Sequence, residues 1–110
     1  MTLSTHVLDA STGRPAVGMP LTFERRAGDS WARIGSGATD EDGRCATLAS
    51  DGLEASTYRL VFDTAAYFSA AGMSGFYPEV SIVFAVTEPE RHHHVPLLLS
   101  PFAYSTYRGS

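Results

Sequence analysis

The sequence contains no lysine, and its eight basic residues are all arginine. It has one cysteine, so no disulfide can form within the chain and packing must supply the stability. The apolar runs are all far shorter than the roughly 20 residues that a membrane-spanning helix needs. The first residues show neither the basic segment nor the apolar segment of a secretory signal. We therefore expect a cytoplasmic protein that does not enter a membrane.

Charge and length narrow the class of protein further. The formal net charge of −4 gives no reason to expect nucleic acid or an anionic membrane as a partner. With 44% hydrophobic and 18% charged residues, the composition is that of a folded globular protein rather than a disordered one. A chain of 110 residues is a common size for one domain, so we expect a single domain over residues 1–110.

Apolar and polar residues alternate through most of the chain, with turn-forming residues between the alternating segments. This pattern is typical of short strands with one buried and one outward face. One segment, 65–71, is predicted to be a helix of about two turns instead of a strand. Asp63 or Thr64 can cap its start, and Gly72 or Gly75 can end it. Seven or eight strands with one short helix predict an all-β, two-sheet β-sandwich. The main strands are predicted at 3–9, 19–26, 31–36, 57–62, 79–87, 92–100 and 104–107.

The segment 92–100 places two histidines on the face opposite to an apolar one. Positions 93, 95, 97 and 99 share one face, which is apolar except for His93. His92 and His94 fall on the other face. Histidines two residues apart on a strand could chelate zinc, and His6 and Cys45 are the residues available to complete the shell. Because the sequence has no recognised ligand spacing, the metal site stays an alternative and we expect no cofactor.

Arg44 follows Gly43 in the polar loop 39–44. A glycine with positive φ at this point would turn the arginine towards a partner, whereas an arginine that only aids solubility is the alternative. The acidic residues of the loop lack the spacing of an EF-hand, which favours a solvated turn over a calcium site. Cys45 is either a thiol activated by its basic neighbour or a small core residue at the start of a strand.

Four segments carry a resemblance to a known family. They are LSTHVLD at 3–9, DGRC at 42–45, HVPLLLSP at 94–101 and YSTYRGS at 104–110. These segments resemble the 5-hydroxyisourate hydrolases, the enzyme branch of the transthyretin-related family, and the likeness extends over nearly the whole chain. The hormone-carrying transthyretins share the LLSP and YST pieces but lack the Arg-Gly-Ser ending and the two strand histidines.

The resemblance implies a transthyretin-like sandwich that assembles as a homotetramer, a dimer of dimers, and needs no cofactor. It implies 5-hydroxyisourate as the substrate, whose six-membered ring is opened by water in urate degradation. The implied site lies at a subunit interface, and either of its two histidines could be the base. The implied catalytic residues are His6, Arg44 and His94, and the implied substrate-binding residues are Tyr107, Arg108, Gly109 and Ser110.

Two further expectations accompany the resemblance. Position 93 is His where relatives commonly have Tyr, and since it falls on the face opposite to His94 we expect little effect on chemistry. The given sequence ends on Arg-Gly-Ser directly after the final predicted strand, so we expect Ser110 and its carboxylate to complete the pocket. The alternative function is a non-catalytic carrier that binds an aromatic or hormone-like molecule in a central tetramer channel. Two histidines, an arginine and an Arg-Gly-Ser ending have no use in such a channel.

Overall fold

The computed structural model describes residues 3–49 and 51–110, which form two β-sheets and one helix. Nine strands occur in the described residues, in two sheets as the alternating pattern predicts. Their bounds are β1 Leu3–Asp9, β2 Arg14–Pro15, β3 Pro20–Ala27, β4 Ser30–Ala38, β5 Arg44–Cys45, β6 Ser56–Phe62, β7 Val80–Val86, β8 His93–Ser100 and β9 Ala103–Thr106. The helix α1 spans Thr64–Ala70 and lies between β6 and β7 in the chain.

The first sheet is organised around β1, which pairs in parallel with β8. The other edge of β1 is shared by β5, opposite Thr5 and His6, and by β2, opposite Leu8 and Asp9, both antiparallel. The strand β9 extends this sheet by antiparallel pairing with β8. The second sheet is antiparallel throughout in the order β4-β3-β6-β7. The parallel pair therefore joins the first strand of the chain to one near its end.

The core lies between the sheets and receives every second side chain of β1 and β8. Leu3, Thr5 and Val7 are buried on β1, and the alternation continues on β8 from His93. Burial of each large aliphatic or aromatic side chain contributes about 1.5–3 kcal/mol, so this alternation fixes which face points outward. The predicted faces of both strands are confirmed except at Pro96, which was expected on the outward face of β8 and is buried. The second sheet contributes core residues Leu21, Phe23, Tyr58, Leu60 and Phe62.

The helix α1 has the predicted length and the predicted cap and ending residues, but each of its bounds lies one residue earlier than the predicted 65–71. The Asp63 carboxylate accepts a hydrogen bond from the Ala66 N–H at 3.0 Å, which caps the first turn. Gly72, just past the last turn, has φ +70°, the left-handed conformation that often ends a helix. The Tyr67 hydroxyl donates to the Asp9 carboxylate at 2.7 Å, which links the helix to the end of β1. No helix among the described residues has the length and apolarity needed to cross a membrane.

The strand count differs from the seven or eight expected because β2 and β5 each contain two residues. Such short pairs have no period to detect in sequence, since alternation needs several residues. They form because loops bring Arg14 and Arg44 alongside β1, and the β5 pair supports the site described below. Cys45 is buried in the core, as expected of a small residue at the start of a strand.

Candidate functional site

Three strands of the first sheet place His6, Arg44 and His94 side by side on its outward face. His6 on β1 is the register partner of Arg44 on β5, and Ser4 is the register partner of His94 on β8. Paired residues point to the same side of a sheet, and the other side of β1 is buried. The structure therefore brings together the three side chains that the sequence predicts as catalytic.

Arg44 is positioned by the turn that precedes β5. Gly43 has φ +74°, and a Cβ there would meet the Val7 carbonyl, so only glycine fits. The Asp40 carboxylate accepts hydrogen bonds from the backbone N–H groups of Asp42 and Arg44, both at 2.9 Å. The bond from the Arg44 backbone, together with the other backbone bonds and the arginine charge, lowers the pKa of Asp40. The carboxylate therefore stays ionised and holds the turn, while the exposed Arg44 side chain makes no ion pair within the described residues.

The imidazole of His94 is held from two sides. Its Nδ1 lies 2.8 Å from the Ser4 hydroxyl, which lies 2.9 Å from Nε2 of His92. On the other side the Gly109 N–H donates to the His94 carbonyl at 2.9 Å. A Cβ at position 109 would collide with the Cδ2 edge of the ring, so glycine is required for this approach. The Nε2 of His94 has no hydrogen bond among the described residues.

The electrostatic surroundings of His94 favour its neutral form. Burial lowers the pKa of His94, and the charge of Arg44 lowers it further, followed by smaller contributions from His6 and His92. A hydrogen bond with the Ser4 backbone acts in the opposite direction but does not outweigh them. A histidine that stays neutral near pH 7 can accept a proton from water, which is what a general base must do.

The four residues predicted to bind substrate fall into three groups. Gly109 contacts His94 directly, as described above. Tyr107 and Arg108 are exposed and line a cavity of about 260 Å3 together with His94 and the edge strand β7. Ser110 is exposed, and no contact among the described residues joins it to the catalytic side chains. The structure thus brings Tyr107, Arg108 and Gly109 to the site or its rim, and the role of Ser110 stays a prediction.

His93 lies on the buried face of β8, opposite to His94, as the sequence predicts. Its side chain is 6% exposed, and its Nδ1 has no hydrogen-bond partner among the described residues. Burial of a polar atom without a partner costs about 1–3 kcal/mol. His93 lines the same 260 Å3 cavity as Tyr107 and Arg108. This histidine therefore belongs to the inner wall of the sandwich and not to the outward cluster.

Sequence reasoning missed Ser4 and considered His92 only as a metal ligand. The alternation places Ser4 on the face of His6, which was the one signal available. Its contact with His94 depends on the register of two strands whose bonded residues are 90 positions apart. No group of three or more His, Cys, Asp or Glu in the described parts of the chain is arranged to hold a metal ion.

A larger groove of about 720 Å3 lies on the second sheet and holds none of the predicted site residues. Its charged side chains include Glu24 and Arg59, which form an ion pair with each other at 2.6 Å. Their charges are therefore already compensated by protein groups. The outward face of the first sheet is the better candidate for chemistry, because Arg44 there has no ion-pair partner among the described residues and the histidine beside it is neutral.

Comparison with known proteins supports this choice. The sequence model of the HIUase/Transthyretin family matches residues 3–109. A 5-hydroxyisourate hydrolase from Salmonella dublin is 41% identical over 109 residues, covering 98% of this chain and 80% of that protein. The structure of Klebsiella pneumoniae 5-hydroxyisourate hydrolase has a TM-score of 0.89 and 37% identity, and covers 100% of both chains. Sea bream transthyretin in complex with thyroxine has a TM-score of 0.91 and 34% identity, and covers 99% of this chain and 95% of that one.

Proposed function

The chain belongs to the HIUase/Transthyretin family, and we propose that it is the enzyme of that family which hydrolyses 5-hydroxyisourate in urate degradation. The observation that carries this proposal is the outward cluster of His6, Arg44 and His94 on adjacent strands. These neighbouring residue types supply a proton acceptor and a permanent positive charge. Those are the two groups that hydrolysis of a cyclic amide requires.

The proposed reaction opens the six-membered ring by attack of water on a ring carbonyl. The water loses a proton to a histidine, its oxygen bonds to the carbonyl carbon, and negative charge develops on the carbonyl oxygen. The carbon–nitrogen bond then breaks, the nitrogen takes up the proton that the histidine received, and the carbonyl carbon becomes a carboxyl group that releases its remaining proton to water. The product is the hydroxy-carboxy-ureidoimidazoline. No covalent intermediate with the protein is needed.

Within this scheme we assign the base to His94. Its lowered pKa keeps the ring neutral, and contacts with Ser4 and Gly109 fix the orientation of that ring. Arg44 stabilises the charge on the carbonyl oxygen, because a fixed guanidinium needs no rearrangement when that charge appears. His6, the register partner of Arg44, orients the water or the substrate.

The substrate-binding role belongs to the segment that follows β9. Tyr107 and Arg108 line the cavity beside His94 and are exposed, so their side chains are accessible to a ligand. Arg108 makes no ion pair among the described residues, and its planar fork suits the carbonyl groups of a cyclic ureide. Gly109 allows close approach of the backbone to His94, and Ser110 extends the wall of the pocket.

A carrier function is the second candidate, because the fold matches a thyroxine-bound transthyretin as closely as it matches a hydrolase. The fold alone therefore does not separate the two functions. The separation comes from the side chains on the outward face of β1, β5 and β8. A carrier for an aromatic hormone gains nothing from a neutral histidine oriented by a serine beside an arginine.

The test is to mix the protein with freshly generated 5-hydroxyisourate and follow its ultraviolet absorbance against the spontaneous reaction. We expect decay that is faster in proportion to protein concentration, with the ureidoimidazoline product identified by nuclear magnetic resonance. Thyroxine binding measured by calorimetry on the same sample tests the carrier function. Decay at the spontaneous rate, with or without thyroxine binding, would overturn the hydrolase proposal.

The proposed mechanism uses only protein groups and water. Dialysis against a strong chelator should therefore leave the activity unchanged, because the histidines act as proton acceptors and not as ligands. The measurement is the hydrolysis rate before and after dialysis, with zinc added back to a third sample. Loss of activity on dialysis and recovery with zinc would return His92 and His94 to the zinc alternative.

The proposed assembly is a homotetramer, a dimer of dimers. The described structure supports self-association because β7 and β9 end their sheets with unpaired edges, which are templates for further pairing. A chain of exposed aromatic rings lies nearby, with ring centroids of Phe76 and Tyr77 5.0 Å apart and those of Tyr77 and Tyr104 5.2 Å apart. Light scattering should give four times the chain mass, and a fully active monomer would contradict the assembly.

The expected cytoplasmic location is tested by fractionating the source cells.

A further inference from the structure

The Ser4 hydroxyl lies between two histidines and is within hydrogen-bond distance of both. It is 2.8 Å from Nδ1 of His94 and 2.9 Å from Nε2 of His92. The hydroxyl carries one hydrogen, so it can donate to one histidine and must accept from the other. The protonation states of the two rings are therefore coupled through this oxygen.

Two arrangements satisfy this constraint in the neutral protein. In the first, His94 donates from Nδ1 to Ser4, and Ser4 donates to Nε2 of His92. In the second, both bonds run in the opposite direction. A neutral imidazole carries one ring proton, so the first arrangement leaves Nε2 of His94 as an acceptor. The second arrangement protonates Nε2 and leaves no acceptor for a proton of water.

We propose that Ser4 is a positioning residue that selects the first arrangement, and that His94, Ser4 and His92 form a proton relay from the reacting water to solvent. This inference rests on the proposed function, because His94 is the base of that reaction. It concerns the path of the proton, which the assignment of a base leaves open.

The relay moves three protons in one direction. A proton of water bonds to Nε2 of His94, the Nδ1 proton of His94 passes to Ser4 Oγ, and the Ser4 hydroxyl proton passes to Nε2 of His92. Three bonds to hydrogen break and three form, so no oxidant, reductant or co-reactant is needed. His92 is exposed, whereas His94 is half-buried. The proton therefore ends on the His92 ring, which has access to bulk water.

The groups around His94 favour export of the proton. Arg44 of β5, His6 of β1 and His92 all act on His94 electrostatically, and Arg108 lines the cavity beside it. A positive charge retained on His94 would be repelled by Arg44 through the whole cycle. A charge moved to His92 lies at the surface, where water screens it. After these transfers His94 is neutral but protonated on Nε2, so the base is restored when the Nε2 proton passes to the leaving nitrogen and a proton returns from His92 through Ser4 to Nδ1.

Nuclear magnetic resonance of nitrogen-labelled protein tests the arrangement without substrate. Long-range hydrogen–nitrogen correlations distinguish a ring protonated at Nδ1 from one protonated at Nε2. We expect neutral His94 to carry its proton on Nδ1 in the wild type, and to lose this preference in Ser4→Ala. A wild-type His94 protonated on Nε2 would overturn the relay, whatever the activity of the protein.

Kinetics test whether the relay operates. Ser4→Ala should lower kcat by about 10-fold to 100-fold, the range known for partners that orient metal-bound histidines, with KM unchanged. Ser4→Thr keeps the hydroxyl and should restore most of the rate. His92→Gln keeps a nitrogen near the Nε2 position but cannot take up a proton. It should lower kcat in dilute buffer and recover as buffer concentration rises, because buffer then accepts the proton.

The matched control is Ser81→Ala, which removes an exposed serine hydroxyl from β7 and should leave kcat unchanged. A fully active Ser4→Ala protein, or a His92→Gln protein whose rate ignores buffer concentration, would overturn the relay while the proposed hydrolase function stands. An inactive wild-type protein would overturn the proposed function and the relay together. The three results are therefore distinguishable.

Discussion

Arginines on the outward faces of the two sheets have different surroundings. On the second sheet, Arg59 pairs with Glu24 at 2.6 Å and Arg25 pairs with Glu54 at 2.8 Å. The guanidinium of Arg59 also lies 4.5 Å from the centroid of the Trp31 ring. On the first sheet, Arg44 has no ion-pair partner among the described residues and lies beside histidines instead.

The contrast is between Arg25 and Arg59, which support the fold, and Arg44, whose side chain is available to a ligand. A guanidinium that is paired with a carboxylate and packed on an aromatic ring has its charge compensated by protein groups. Burial lowers the pKa of His94, and the charge of Arg44 lowers it further. A histidine with a lowered pKa beside an arginine is a combination that clusters at functional sites. The following variants test this contrast, from the largest expected effect to the smallest.

Removing either catalytic imidazole should have the largest effect on activity. His94→Ala and His6→Ala should each lower kcat/KM by on the order of 10²-fold or more, the contribution expected of acid–base groups. Both side chains point away from the core, so circular dichroism and the melting temperature should change little. Arg25→Ala on the second sheet is the control and should keep full activity. Normal turnover by either histidine variant would remove that residue from the mechanism.

Exchange of arginine for lysine should affect the two faces differently. Arg44→Lys should lower kcat by about tenfold or more, since an ammonium keeps the charge but not the planar fork that faces a carbonyl oxygen. Arg59→Lys should leave kcat unchanged and lower stability by up to about 1 kcal/mol, as expected for a partly exposed ion pair. Steady-state kinetics and urea unfolding of both proteins make the comparison. An Arg44→Lys protein with the wild-type rate would place Arg44 among the structural arginines.

Crowding the ring of His94 should have a smaller, selective effect. In Gly109→Ala the new methyl group meets the Cδ2 edge of the imidazole, so the ring or the last residues must shift. A displacement of this size can lower kcat by up to about 10²-fold, but we expect less because the end of the chain can move outward. Gly28→Ala is the control for backbone strain far from the site, because Gly28 has φ +65° in a turn of the second sheet with open space around it. Equal activities of the two variants would show that the contact between Gly109 and His94 does not matter for turnover.

The smallest expected effect is a displacement of the pH profile. The base must be neutral, and burial together with the Arg44 charge lowers the pKa of His94 below its ordinary value. Activity should therefore persist below the ordinary histidine range and fall only as pH drops through the lowered value. The free energy of unfolding should also fall as the pH drops from the ordinary histidine pKa through the lowered one. The reason is that the unfolded chain binds this proton at a higher pH than the folded protein does. Arg44→Ala should move the acid limb to higher pH, whereas Arg59→Ala should not.

Most of the fold could be predicted from the sequence because the strands are long enough to show their period. The bounds of β1 agree with the prediction, and those of β8 differ by one residue at its start. The Asp63 cap and the Gly72 ending of the helix were also visible, since both rest on local chemistry. The two-residue strands β2 and β5 were missed because their pairing is decided by loops and not by alternation.

The candidate site could be predicted only in part. Alternation placed His6 and His94 on outward faces, but nothing in the sequence gives the register between β1 and β8. The register of β1 with β8 pairs Ser4 with His94, and the separate register of β1 with β5 pairs His6 with Arg44. The two registers together decide which polar groups are neighbours. The resemblance supplied the identity of the cluster without its geometry. The position of Ser110 stays a prediction.

The parallel pairing of β1 with β8 also has a consequence for how the protein folds. The bonds of Ser4 to His92 and His94 join residues 88 and 90 positions apart. Closing so long a loop costs entropy before any contact is gained, and folding slows as such distant contacts come to dominate. We expect the hairpin of β3 and β4 to form early and the pair of β1 and β8 to form late. A chain emerging from the ribosome would then hold a folded second sheet while its catalytic groups were still separate.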